Sequence, residues 1–288
     1  MQTRRFAPLF ALLAAALYAL NAPLSKLLLQ DVAPMMMASL LYLGAGAGML
    51  LLRLLRSGAQ DAQRLSKGDL PYVLGMIVLD VLAPIFLMLG LRMTTAANAS
   101  LLNNFEIVAT TLIALVFFRE KVSSRLWAAI GLITLSSILL SVEDAGSFRF
   151  SGGSALVLLA CCSWGLENNC TRMLSGSDPQ QIVVVKGLAS GAGSLIVALL
   201  AGEPLPAIQR VPLVLLLGFV AYGLSIYFYV YAQRFLGAAR TSAYYAVQPF
   251  IGVLLSLLIF RQLPGALFVI ALVIMIAGTW LVTVDQAE

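Results

Sequence analysis

Histidine is absent from this chain, and only 11% of its residues are charged. The first absence removes histidine-based metal sites and Ser-His catalytic pairs. The second removes a water-soluble globule, which carries about 25% charged residues. Cysteine is scarce too. Cys161, Cys162 and Cys170 are the three in the chain, all within one apolar segment. Adjacent Cys161 and Cys162 suit neither a disulfide framework nor a zinc spacing, so they read as small packing residues. HExxH, GxSxG and an aspartate pair at catalytic spacing are all missing, so an enzyme has little support and no cofactor or metal is expected. The net charge of +5 forms no basic stripe, which argues against nucleic acid as a partner.

What is present is hydrocarbon. The chain is 61% hydrophobic with a mean hydropathy of +0.96. Apolar stretches of 18 or more residues recur, each long enough to cross a core of about 30 Å as a helix. Lipid offers backbone groups no partner, and stretches of this length exclude barrel strands. The sequence predicts an all-α integral membrane protein of ten spans, near 7–29, 34–55, 70–91, 95–117, 125–142, 152–173, 180–201, 211–233, 239–260 and 265–284. Turn formers occupy the links: Gly58, Gly152 with Gly153, Asp178 with Pro179, and Pro204 with Pro206. The opening "MQTRRFAPLFALLAAALYALNAPL" has the look of a signal peptide, but the repeat described next argues that it stays as a helix.

Placing the N-terminus in the cytoplasm puts Arg4, Arg5, Arg53, Arg56, Arg64, Lys67, Arg119, Lys121, Arg125, Arg172, Arg234 and Arg240 inside. Lys26, Arg92, Arg149, Arg210 and Arg261 are then outside, and twelve against five obeys the positive-inside rule, with both termini cytoplasmic. The segment 87–120 aligns without gaps on 229–262, with Arg92 on Arg234, Ser100 on Ser242 and Glu106 on Gln248. A nearby offset lays "YALNAPLSK" (18–26) on "WGLENNCTR" (164–172). Two such matches that catch polar residues indicate a duplication, with halves 1–145 and 146–288. Five spans per half is an odd number, so the halves are inverted. Inverted repeats are common in secondary transporters, which place the substrate between the halves near the midplane.

Asp80, Glu106, Glu167 and Lys186 fall within spans. Together they cost on the order of 10 kcal/mol if exposed to lipid, so they must face a wet cavity, pair with one another, or become neutral. Trp164, Glu167, Asn168 and Thr171 share one helical face, and Tyr18, Asn21, Ala22 and Ser25 form the equivalent stripe on the first helix. Asn103 and Glu106 cluster with Thr110 on the fourth. The ninth offers Ser242, Tyr245 and Gln248, with Pro249 set to kink it. The eighth carries Tyr222, Ser225, Tyr229 and Gln233 along one side and Tyr227 with Tyr231 along another. The expected cavity therefore comprises Tyr18, Asn21, Asp80, Asn103, Glu106, Trp164, Glu167, Asn168, Lys186, Tyr227, Tyr231, Tyr245 and Gln248.

Competing readings accompany several of these. Asn and Ser also glue membrane helices together. Asp80 has Lys186 as an internal partner, whereas Lys186 also suits snorkelling to the surface. Tyr42 and Tyr72 read as interfacial belt, with no role in a site. Lys26, Arg92 and Arg172 read as helix-end anchors. The fifth and tenth spans, with small residues and no charge, suit the bundle edge or a homo-oligomer contact.

Ten spans as five plus five, "FFREKVSSRLWAAIG" closing the fourth, and Glu120, Trp127 and Gly131 at this spacing resemble the drug/metabolite transporter superfamily, EamA type. The aromatic stripes and the sixth-helix phrase look most like its bacterial aromatic amino-acid exporters of the YddG type. Where the family has Glu at the end of the ninth helix this chain has Gln262, so no acidic role carries over there. The resemblance implies a basket-like bundle around a central cavity and export across the bacterial inner membrane by alternating access. The expected substrate is an amino acid with an aromatic or other apolar side chain. A multidrug exporter of lipophilic cations and a non-transporting membrane scaffold are the alternatives.

Overall fold

A computed structural model describes residues 6–55, 65–118, 123–144, 149–174, 177–236, 241 and 244–287. Arg4, Arg5, Arg56, Gly58, Arg64, Arg119, Glu120, Lys121, Arg240 and Ser242 lie outside these residues, as do the side chains of Arg149, Gln233 and Arg234.

Helices α1 (Ala7–Ala19) and α2 (Asn21–Leu28) are one span broken at Leu20. They are followed by α3 (Pro34–Leu55) and, after a short 3-10 turn at Lys67–Asp69, by α4 (Leu70–Met93). Next come α5 (Ala96–Leu102) and α6 (Phe105–Phe118), interrupted at Asn103 and Asn104, then α7 (Ser124–Ser141). A two-stranded antiparallel ribbon, β1 (Val142–Asp144) and β2 (Arg149–Phe150), joins α7 to α8 (Gly152–Met173). Then follow α9 (Pro179–Leu200), α10 (Val211–Gly218), a π-helical turn (Phe219–Leu224), α11 (Ser225–Leu236), α12 (Gln248–Phe260) and α13 (Ala266–Ala287).

Eight of these segments are long and apolar enough to cross a membrane. The others that matter are α12, apolar but shorter, and α8, whose 22 residues carry Glu167, Asn168 and Asn169. Short polar caps start several helices. Thr95 Oγ1, Ser123 Oγ, Ser151 Oγ and an Asp178 carboxylate oxygen each accept from a backbone N–H of the first turn. Proline in the first turn of α1, α4, α9, α10 and α12 costs nothing, since the N–H it lacks would be unpaired there. Pro84 inside α4 is different: it removes the donor that would meet the Asp80 carbonyl.

The main packing partners are α4 with α8, α3 with α9, α7 with α13, α6 with α8, α11 with α1, α3 with α10 and the π-helical turn, and α5 with α12. Small residues set the closest approach. A Cβ on Gly187 of α9 would fall 2.4 Å from the Gly46 backbone nitrogen of α3. The α3–α9 pair is also pinned along its length. Ser39 Oγ donates to the Gly191 carbonyl, Arg53 pairs with Asp178 at 3.2 Å, and the Glu203 carboxylate accepts from the Met35 and Met36 N–H groups.

Candidate functional site

Where α3, α4, α8 and α9 meet, Lys186 Nζ stands 3.0 Å from Glu167 Oε1 and 3.1 Å from Asp80 Oδ2. The second contact is a charge pair off the hydrogen-bonding line. The Lys186 side chain is 15% exposed, Asp80 0% and Glu167 2%, so snorkelling is corrected: the ammonium serves two interior acids. Tyr42 Oη donates to Asp80 Oδ1 at 2.9 Å and accepts from Trp164 Nε1 at 3.3 Å. Thr171 donates its hydroxyl to Glu167 one turn earlier on α8. One ammonium thus faces two carboxylates, and neutral donors support both acids.

A second acid sits across α8. Glu106, in the first turn of α6, accepts from Asn168 Nδ2 at 2.7 Å, and the same amide reaches Thr110 Oγ1 at 3.3 Å. Asn169 Nδ2 bonds the Thr110 carbonyl at 3.2 Å. This approach requires Gly165, because a Cβ there would lie 2.7 Å from Ala109 Cβ on α6. Among the described residues no cationic side chain pairs with Glu106.

Aromatic rings form the facing wall. Tyr222, in the π-helical turn, contacts Tyr42 (centroids 5.2 Å apart) and Tyr18 (5.4 Å, edge-on). Tyr18 also meets Tyr245 at 6.4 Å, and Tyr245 meets Tyr229 edge-on at 5.0 Å. Asn21, first residue of α2, donates to Tyr222 Oη at 2.9 Å and accepts from Ser25. Glu106 is tied to this wall through α8, which sets Asn168 against Glu106 and Trp164 against Tyr42.

The fold therefore gathers Asp80, Glu167, Lys186 and Trp164 into one network, Glu106 and Asn168 beside it, and Tyr18, Asn21 and Tyr245 opposite. Asn103 is buried at the α5–α6 break, and Gln248 is buried at the start of α12. Tyr227 and Tyr231 are not in the wall. They stack at 6.3 Å in a separate cluster with Phe10, Phe228 and Phe235. Tyr42, read from sequence as belt, is a correction: it is 3% exposed and links Asp80 to Trp164. Tyr222 was visible in the sequence only as one ring among several on the eighth span. Lys26 caps α4, donating to the Leu91, Arg92 and Thr94 carbonyls at 2.6, 3.1 and 2.8 Å.

A family model described as the EamA-like transporter family matches residues 5–142 and again 151–284. A relative named as an uncharacterized transporter, from Methanothermobacter thermautotrophicus, is 26% identical over 285 residues, covering 92% of this chain and 82% of its own. A solved crystal structure superposes with a TM-score of 0.70 over 97% of this chain and 96% of its own, at 19% identity, which is a likeness of fold. Paired buried charges, an aromatic wall and helices of membrane-crossing length accord with a protein that moves small molecules across a bilayer rather than one that transforms them. The chain belongs to the EamA-like transporter family, whose members are transporters and not enzymes.

Proposed function

We propose that this transporter exports amino acids with aromatic or other apolar side chains from the cytoplasm across the bacterial inner membrane. The observation that carries this reading is the wall of Tyr18, Tyr222 and Tyr245 together with Glu106, a carboxylate held by Asn168 and with no ion-pair partner among the described residues. Rings take up an apolar side chain by stacking or edge contact, and a carboxylate flanked by rings suits an ammonium. This chemistry fits the aromatic amino-acid exporter branch.

Ten spans in two inverted halves, 1–145 and 146–288, supply the machinery. The packing supports this. Exchanging each span with its counterpart turns the α4–α8 contact into α11–α1 and leaves α3–α9, α7–α13 and α5–α12 unchanged. Rocking the halves would expose the acids to each side in turn. Both termini would lie in the cytoplasm.

Counterflow in proteoliposomes tests the reading: preloaded phenylalanine should accelerate entry of labelled phenylalanine, tryptophan or leucine. No exchange with any amino acid ends it. A second reading, export of lipophilic cations, is favoured by one observation. Lys186 is already held by two carboxylates and is not available to a substrate carboxylate. Resistance to such cations that disappears in Glu106→Gln, without amino-acid exchange, would select it.

A further inference from the structure

Three buried polar atoms around the α5–α6 break have no hydrogen-bond partner among the described residues: Ser100 Oγ, Asn103 Oδ1 and Asn104 Nδ2. Their residues are 1%, 7% and 2% exposed. Leaving one such atom unpaired costs about 1–3 kcal/mol, so three together need a reason. Their spacing is i, i+3 and i+4, which puts them on one face. The break also disturbs the main chain, since the Asn104 N–H turns to Leu101 O at 3.2 Å instead of continuing to Ser100 O.

That face meets α12. A Cβ on Gly252 would fall 2.8 Å from Ser100 Oγ, and Gln248 and Ser256 lie one turn to either side of Gly252 on the same stripe. A pocket of about 170 Å³ opens at the far end of this seam, lined by Lys26, Ala96, Ala97 and Ser256 among others. Ala96 is one turn from Ser100 and Ser256 one turn from Gly252. The unpaired groups therefore lie one to two turns below an open pocket, on the seam between α5 and α12.

Their chemistry is mixed. Asn104 offers an amide donor, Ser100 a hydroxyl that donates or accepts, and Asn103 a carbonyl acceptor. The Glu106 and Ile107 N–H groups at the start of α6 are already taken by the Asn103 and Asn104 carbonyls, so only side chains are left to pair here. Glu106 follows in the first turn, still without a cation among the described residues. A simple cation would satisfy Asn103 and Glu106 and leave the Asn104 donor stranded. A zwitterion satisfies all of them.

We propose that the α5–α6 break is the head-group subsite for a free α-amino acid. Its carboxylate takes the Asn104 amide and the Ser100 hydroxyl, and its ammonium takes Asn103 Oδ1 and Glu106. This rests on the amino-acid reading above and separates it from the lipophilic-cation one.

Calorimetric titration of the purified full chain with L-phenylalanine and L-leucine, and with phenethylamine and isoamylamine, which lack only the carboxylate, tests it. The amino acids should bind more tightly than the amines. Asn104→Ala and Ser100→Ala should each weaken amino-acid binding about tenfold and leave amine binding within about twofold. Ser100→Ala removes a single hydroxyl and carries the test if Asn104→Ala fails to fold. Unchanged amino-acid binding in the variants, or equal loss for acids and amines, overturns the subsite while the amino-acid reading stands. If the unmodified protein binds the amines but neither amino acid, that reading falls and takes the subsite with it.

Discussion

Lys186 shows how strongly one side chain can govern a membrane interior. Its ammonium neutralises Asp80 and Glu167, both almost fully buried, so removing it strands two acids at once. Breaking a buried pair from one side typically costs about 3–5 kcal/mol. Lys186→Met should therefore lower the thermal midpoint in detergent markedly, and adding Asp80→Asn with Glu167→Gln should recover most of the loss. Glu106→Gln should behave differently. The amide keeps the Asn168 neighbour and the fold, whereas transport of amine-bearing substrates should fall at least about tenfold when measured as initial uptake by proteoliposomes. Part of this was legible in the sequence. Charges inside apolar runs announce a cost that something must offset, and the i, i+3, i+4, i+7 stripe on α8 placed Trp164, Glu167 and Asn168 together. Tyr42 was not legible, because a lone tyrosine among leucines gains its meaning only from Asp80 and Trp164, which arrive from other helices.

At the scale of helices, long apolar runs located most of the elements, but their interruptions were hidden. A hydropathy window averages across Leu20, Asn103 and Asn104, although the breaks there determine where Asn21 and Glu106 point. On the eighth span a helical period groups Tyr222 with Tyr229 and Tyr227 with Tyr231, as the ring contacts do, but which group meets Tyr18 and Tyr245 depends on helices that arrive from elsewhere. Gly165 gives a direct test of element packing. Gly165→Leu should force α8 away from α6, separating Asn168 from Glu106, and should reduce both folded yield and transport. Gly131 of α7 is the control. A Cβ there meets no described atom within 4 Å, so Gly131→Ala should leave transport intact and raise the thermal midpoint slightly, through about 0.5–1 kcal/mol of added helix stability.

For the molecule as a whole, duplication makes a claim about topology. If each half has five spans, as proposed, reporters fused after residue 145 and after residue 288 should read opposite sides of the membrane, the second cytoplasmic; two readings on the same side would exclude an odd number of spans in the second half. If the halves rock as proposed, the α3–α9 seam between them is the hinge, because it is pinned at three points. A carboxylate holds one end of α3 to the chain just beyond α9, an arginine holds the other end to the start of α9, and a glycine contact closes the middle. Two rods clasped at head, waist and foot behave as a spindle. The other helices would turn about it like doors, and Lys186, reaching from α9 to Asp80 on α4 and Glu167 on α8, would latch two of them to the hinge.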